Sequence, residues 1–324
     1  EGVGGRFNAW TSHIDTGFWV KVAKEKIDLA LEIVGQMVTE PILPTKYFEK
    51  ERGTIIQEYY MYEDQPGAKA SRTMWESLMG KTNMGRQVIG TTESLKEMKI
   101  DYLKKFMKDW YRAENVVIGV VGNYGDEGEL LKNIRKEFIG LYGHTNKMPE
   151  RDVFTWKEQK KPIIKLVSRK VDQARVSMGI PAIEATNRLR YAQYLTNIIF
   201  GSGTNSKLFV EVREKKGWAY SVGSGIDTFK EFGMVGIGGG FPKDKVGDAV
   251  KLIDEIMLGL GGNGKWAITK RELEVAKETY NGRISLRFDE PEKVLSMAMN
   301  DLLTEGKFYT QEEIKENVKK VPLD

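Results

Sequence analysis

At 324 residues the chain exceeds what one ordinary hydrophobic core organises, because single cores stop growing near ~250 to 300 residues, so two domains are expected. Its 50 basic and 46 acidic residues are interspersed and leave a net charge of only +4, which gives no concentrated footprint for nucleic acid or anionic lipid. The absence of cysteine excludes disulfides, thiolate nucleophiles and cysteine-ligated zinc and fits a reducing cytoplasm, and no apolar run reaches the ~18 residues of a membrane span.

In chain order, residues 6–12 and 17–22 carry aromatic and β-branched side chains in alternation and predict a pair of strands. Ile27, Leu31, Val34 and Val38 then form one helical stripe over residues 26–38, which Pro41 and Pro44 end. Thr45 is an N-cap candidate for a second helix, continued at helical spacing to about Tyr62. Further helices are expected over 69–79, 92–100 and 100–111, a buried strand over 115–122, and a helix over 127–141.

Residues 144–162 are polar, contain Pro149 and Pro162, and show no sustained period, as expected of an interdomain linker in which His144 is solvent-exposed. The basic run from Lys157 to Lys165 belongs to this solvated stretch. Beyond it, 163–167 and 174–180 predict strands and 188–199 a helix. Residues 201–205 predict a turn that lacks the Gly-Lys-Ser/Thr ending of a phosphate loop. Strands over 220–226 and 233–239, a helix over 243–258 and a helix capped by Thr269 repeat the layout of the first half, and residues 28–34 parallel 248–254. The expected fold class is therefore α+β: two related domains, 1–143 and 163–324, each an antiparallel-rich sheet with helices packed on one face, joined by the linker 144–162.

Glu51 and Glu58 lie seven positions apart on the second predicted helix, which aligns them on one face about 10 Å apart along the axis. Spacing alone favours a solvated acidic pair, since glutamates seven apart are common on charged helices. Context comes from the run from Gly4 to Ser12 (GGRFNAWTS) followed by Thr16, from residues 51–58 (ERGTIIQE), and from residues 90–93 (GTTE). In the second half it comes from residues 206–209 (SKLF) and 213–221 (REKKGWAYS). In order and spacing these segments resemble the pitrilysin/insulinase family of zinc metallopeptidases, of processing-peptidase type, over nearly the whole chain.

By that resemblance Glu58 matches the third zinc ligand, and Glu51 its acidic neighbour two helical turns earlier, a supporting group. The family's two ligand histidines and general-base glutamate sit in a His-x-x-Glu-His segment about twenty residues before the Gly-Gly turn, so the remaining Zn2+ ligands are expected upstream of Glu1. His13, at a strand or turn position with no partner histidine, is no substitute. Arg213 and Tyr220 match the pair that binds substrate backbone and polarises the scissile carbonyl, a task suited to two hydrogen-bond donors. Without the resemblance they read as a surface helix residue and a core aromatic. Asn8, Ala9 and Trp10 match the edge strand onto which an extended peptide adds, which is otherwise an ordinary hairpin strand. The implied protein is a zinc endopeptidase subunit that takes peptides or unfolded proteins into a clamshell chamber and assembles as a homo- or heterodimer. The alternative is a non-catalytic peptide-binding or scaffolding subunit. Residues 321–324 fall where the family continues into a helix and closing strand, so both ends are expected to be truncated.

Overall fold

A computed structural model of the chain describes residues 2–145 and 147–323. Glu1 and Asp324, at the ends just discussed, and Asn146 in the predicted linker lie outside the described residues. The elements run β1 (Arg6–Thr11), β2 (Thr16–Lys21), α1 (Ile27–Thr39), α2 (Thr45–Glu63), α3 (Pro66–Met79), α4 (Thr92–Glu97), α5 (Ile100–Trp110) and α6 (Glu127–Glu137). They continue with β3 (Ala174–Ala182), α7 (Arg190–Phe200), β4 (Val222–Thr228), β5 (Gly233–Phe241), α8 (Val246–Gly259), α9 (Lys270–Phe288), α10 (Pro291–Glu305) and α11 (Gln311–Lys319). They cluster into two compact units, Glu1–Tyr60 with Gln87–Asp152, and Met61–Arg86 with Val153–Asp324.

In the first unit β1 and β2 pair antiparallel, from Arg6 opposite Lys21 to Thr11 opposite Thr16. The apolar stripe of α1 buries Leu31 and Val38 against Leu130, Phe138 and Leu141, with Phe18 of β2 packed on the same cluster. Gly35 permits the close crossing, since a Cβ there would lie 2.7 Å from the Glu137 carbonyl oxygen. The strand expected over 115–122 does not form. Ala113–Asn115 is a 3-10 turn, and Val116, Ile118 and Val120 pack half-buried on this core without joining a ladder. An apolar run fixes burial but not pairing, which needs an open strand edge alongside.

In the second unit β5 lies between β3 and β4, antiparallel to both. Side-chain alternation sends Val176, Met178, Ile180, Val235 and Ile237 to one face, where they meet the fully buried Phe241, Ile253 and Ile256. On the other face α3 packs on β3 so closely that a Cβ at Gly179 would collide with Met74 and Leu78. A second cluster joins α7, α9 and α11 through Leu195, Leu273, Ala276, Ile284, Ile314 and Val318. A complete capping box, Thr269 with Glu272, starts α9.

Three local expectations are corrected here. Residues 163–167 form no strand, and Ile163, Ile164, Leu166 and Val167 are exposed. Residues 144–162 carry no helix or strand where described, yet they are not uniformly solvated: Phe154 is buried, its ring centroid 4.9 Å from that of Trp156 and 4.5 Å from that of Phe232. His144 is half-buried rather than exposed, and its Nε2 is shut from solvent without a hydrogen-bond partner.

The repeat seen in the sequence extends to element lengths. In each half two antiparallel strands lead through a 3-10 turn, Lys24–Lys26 or Lys243–Lys245, into α1 or α8. There follows a helix of 19 residues, α2 or α9, and two residues later a helix that opens on proline, Pro66 in α3 or Pro291 in α10. Among the described residues no helix is long and apolar enough to cross a membrane.

Candidate functional site

Glu51 and Glu58 project from α2, a helix with no buried residue. Both carboxylates are exposed, and among the described residues neither has a hydrogen bond or ion pair. Their neighbour Arg52 is engaged: it pairs with Glu49, donates to the Met98 carbonyl at 2.5 Å, and lies 4.7 Å from the Phe48 ring centroid. That bond holds α2 against the residue after α4, so the carboxylates stand on a braced helix. Glu63, on the last turn of α2, shows the contrasting case of a carboxylate absorbed by structure, with Lys69 at 3.0 Å, Arg72 at 2.6 Å and Arg169 at 3.4 Å.

An exposed glutamate oxygen suits a zinc ligand, but one donor does not make a site. Among the described residues no group of three His, Cys, Asp or Glu is placed to hold a metal ion. His13 lies in the turn between β1 and β2. The donors present therefore do not fit zinc on their own.

Asn8, Ala9 and Trp10 lie on β1, all exposed. The sheet consists of β1 and β2 alone, so the far edge of β1 is open to another strand among the described residues. Phe18 turns into the α1 core, and so its cross-strand partner Ala9 shares that face. Asn8 and Trp10 alternate to the opposite face. Trp10 pairs with Gly17 across the hairpin, and a Cβ on Gly17 would overlap the indole. The absent side chain is what lets Trp10 lie down on the sheet.

In the second unit Arg213 and Tyr220 are brought together. The Arg213 guanidinium carbon lies 5.0 Å from the Tyr220 ring centroid and 4.5 Å from that of Phe209. Arg213 is half-buried on a π-helical segment, Phe209–Lys215, rather than on an ordinary surface helix. Tyr220 is 78% exposed and thus not a core aromatic. Phe209 closes the SKLF segment, and its i, i+4 spacing from Arg213 is the sequence signal that links the two. An open groove of about 520 Å³ in the same unit, lined by Gln65, Pro66, Gly67, Asp172 and Arg175, contains none of these residues.

Residues 1–92 match the family described as insulinase (peptidase family M16), and residues 97–280 match the peptidase M16 inactive domain. The uncharacterized zinc protease YmxG of Bacillus subtilis is 29% identical over 325 residues, 99% of this chain and 76% of the relative. An uncharacterized zinc protease of Mycobacterium leprae is 27% identical over 326 residues, 100% of this chain and 72% of the relative. Among solved structures, a protease from Helicobacter pylori superposes with a TM-score of 0.85 at 18% identity, covering 99% of this chain and 77% of that one. A peptidase M16 inactive domain from Pseudomonas fluorescens gives 0.79 at 22% identity, covering 100% and 80%. With its α+β architecture and both halves matched, the chain belongs to the M16 (insulinase) family of peptidases.

Proposed function

We propose that this chain is the body of a zinc-dependent endopeptidase subunit that binds extended peptides or unfolded protein and hydrolyses them. The observation that carries it is the pairing of Arg213 with the exposed Tyr220, two donors side by side with their polar ends available to a ligand. In this assignment Tyr220 and Arg213 bind the substrate backbone and polarise the scissile carbonyl, where negative charge develops. The open edge of β1 takes an extended peptide as an added strand, with Asn8 and Trp10 on one face and Ala9 on the other. Glu58 supplies one zinc ligand, and Glu51, two turns away, supports it. Assembly as a homo- or heterodimer in the cytoplasm belongs to the same proposal, and relatives named zinc proteases support its metal.

The test uses the full-length protein. Glu58→Gln is expected to weaken zinc binding and abolish cleavage of a quenched peptide, whereas Tyr220→Phe lowers turnover with little loss of metal. Unchanged zinc content and rate in Glu58→Gln would refute the ligand assignment. A second reading, a non-catalytic peptide-binding subunit partnering an active one, draws on the match to the family's inactive domain over residues 97–280. Wild-type protein that binds peptide but neither retains zinc nor cleaves would favour it.

A further inference from the structure

We propose that Phe209 is a positioning residue for Arg213: its ring and that of Tyr220 hold the guanidinium between them, so that its N–H groups are presented to substrate already oriented. This rests on the assignment of Arg213 and Tyr220 to the substrate backbone.

The two rings lie 4.5 and 5.0 Å from the guanidinium carbon. Among the described residues the Arg213 side chain has no hydrogen bond or ion pair. That combination is unusual for a half-buried arginine, which ordinarily spends its donors on a carboxylate or carbonyl. Glu211, two residues before Arg213 on the same segment, is instead paired with Lys215 at 2.6 Å and Lys265 at 3.9 Å. Attraction to ring faces steadies the cation without occupying its donors.

The support is itself anchored. Leu208 and Val212 are fully buried in the sheet core, and each immediately precedes one member of the Phe209–Arg213 pair. With 208 and 212 fixed inside, 209 and 213 are carried together to the rim. Ser206, itself buried, donates through Oγ to the Gly203 carbonyl at 2.7 Å and closes the preceding turn. The π-helical winding of Phe209–Lys215 sets the offset between these pairs, and such segments recur at functional sites. Long arginine side chains lose much rotamer freedom on binding, so a guanidinium held in advance binds substrate at lower entropic cost.

The experiment measures binding of fluorescein-labelled casein to the full-length protein by anisotropy, with the Arg213 Nε–Hε resonance followed by NMR. Phe209→Leu keeps apolar bulk but has no π face, and it is expected to weaken binding by about 3- to 30-fold, the range of one cation–π contact. Phe209→Tyr keeps the face and should bind as wild type. The double variant Phe209→Leu/Arg213→Ala should bind no more weakly than Arg213→Ala alone. The Arg213 resonance should move to a solvent-like position in Phe209→Leu and stay in Phe209→Tyr. If Arg213→Ala weakens binding while Phe209→Leu does not, or if the two losses add, the positioning role is overturned and the Arg213 assignment survives. If Arg213→Ala leaves binding unchanged, the assignment of Arg213 to substrate is itself overturned.

Discussion

Asp301 sits half-buried on α10, where burial first and then the nearby Glu305 carboxylate push its acid up to about 6 from the ordinary 3.8. A hydrogen bond from the Tyr309 backbone, Arg190 on α7 and the Asn300 side chain act in the opposite direction and are outweighed. Between 3.8 and about 6 the folded chain holds a proton that the unfolded chain has released, so stability falls as pH rises through this window. At ~1.4 kcal/mol per pH unit the difference sets an upper bound of ~3 kcal/mol, and solvent access to a half-buried group lowers the expected effect to about 1–2 kcal/mol. Asp301→Asn removes the charge while keeping an acceptor for the Tyr309 N–H. Chemical denaturation across pH 4 to 8 should find the variant more stable than wild type by about 1–2 kcal/mol above pH 7, with the gap closing toward pH 4. A variant less stable at pH 7.5, or a gap independent of pH, would refute the reasoning.

Other outcomes follow from packing. Phe154→Ala should cost about 3 kcal/mol in denaturant unfolding, as for other buried Phe truncations, and speed proteolysis within 144–162; a cost under about 1 kcal/mol would mean that this stretch is not held by its aromatic anchor. Gly17→Ala should lift the Trp10 indole from the hairpin and move the Trp10 signal in a 5-fluorotryptophan-labelled protein, and an unmoved signal would count against that contact. Thr269→Ala, which removes one half of a capping box, should lower stability by about 1 kcal/mol, measured by thermal unfolding. No change there would place the start of α9 under tertiary control.

Much of the fold was legible where the signal is local. The hairpin, the α1 stripe and the Thr269 cap each depend on residues within a turn or two of one another. The failures at 115–122 and 163–167 share a cause: β-propensity identifies a segment able to pair, but the partner edge is set by residues far away in sequence. Phe154 and Trp156 alternate within a polar stretch, a signal that composition averaged away. At the candidate site, Arg213, Tyr220, Glu51 and Glu58 stand out in the sequence as candidates only through the family resemblance. The winding that sets Phe209 beside Arg213 was not legible there, because a π-helical segment differs from an α-helix by one hydrogen-bond step and leaves the apolar spacing nearly intact.

The matched helices α2 and α9 carry one last implication. Both have 19 residues, and counting along them sets Glu51 against Ala276 and Glu58 against Arg283. In α9 those positions are inward or tied down: Ala276 is 1% exposed, and Arg283 donates to the Ser202 carbonyl at 2.8 Å and to its hydroxyl at 3.1 Å. In α2 the same two steps of the spiral hold bare carboxylates. At equal registers the two rods thus serve different ends, one given over to cohesion and the other left with negative charge it does not itself neutralise.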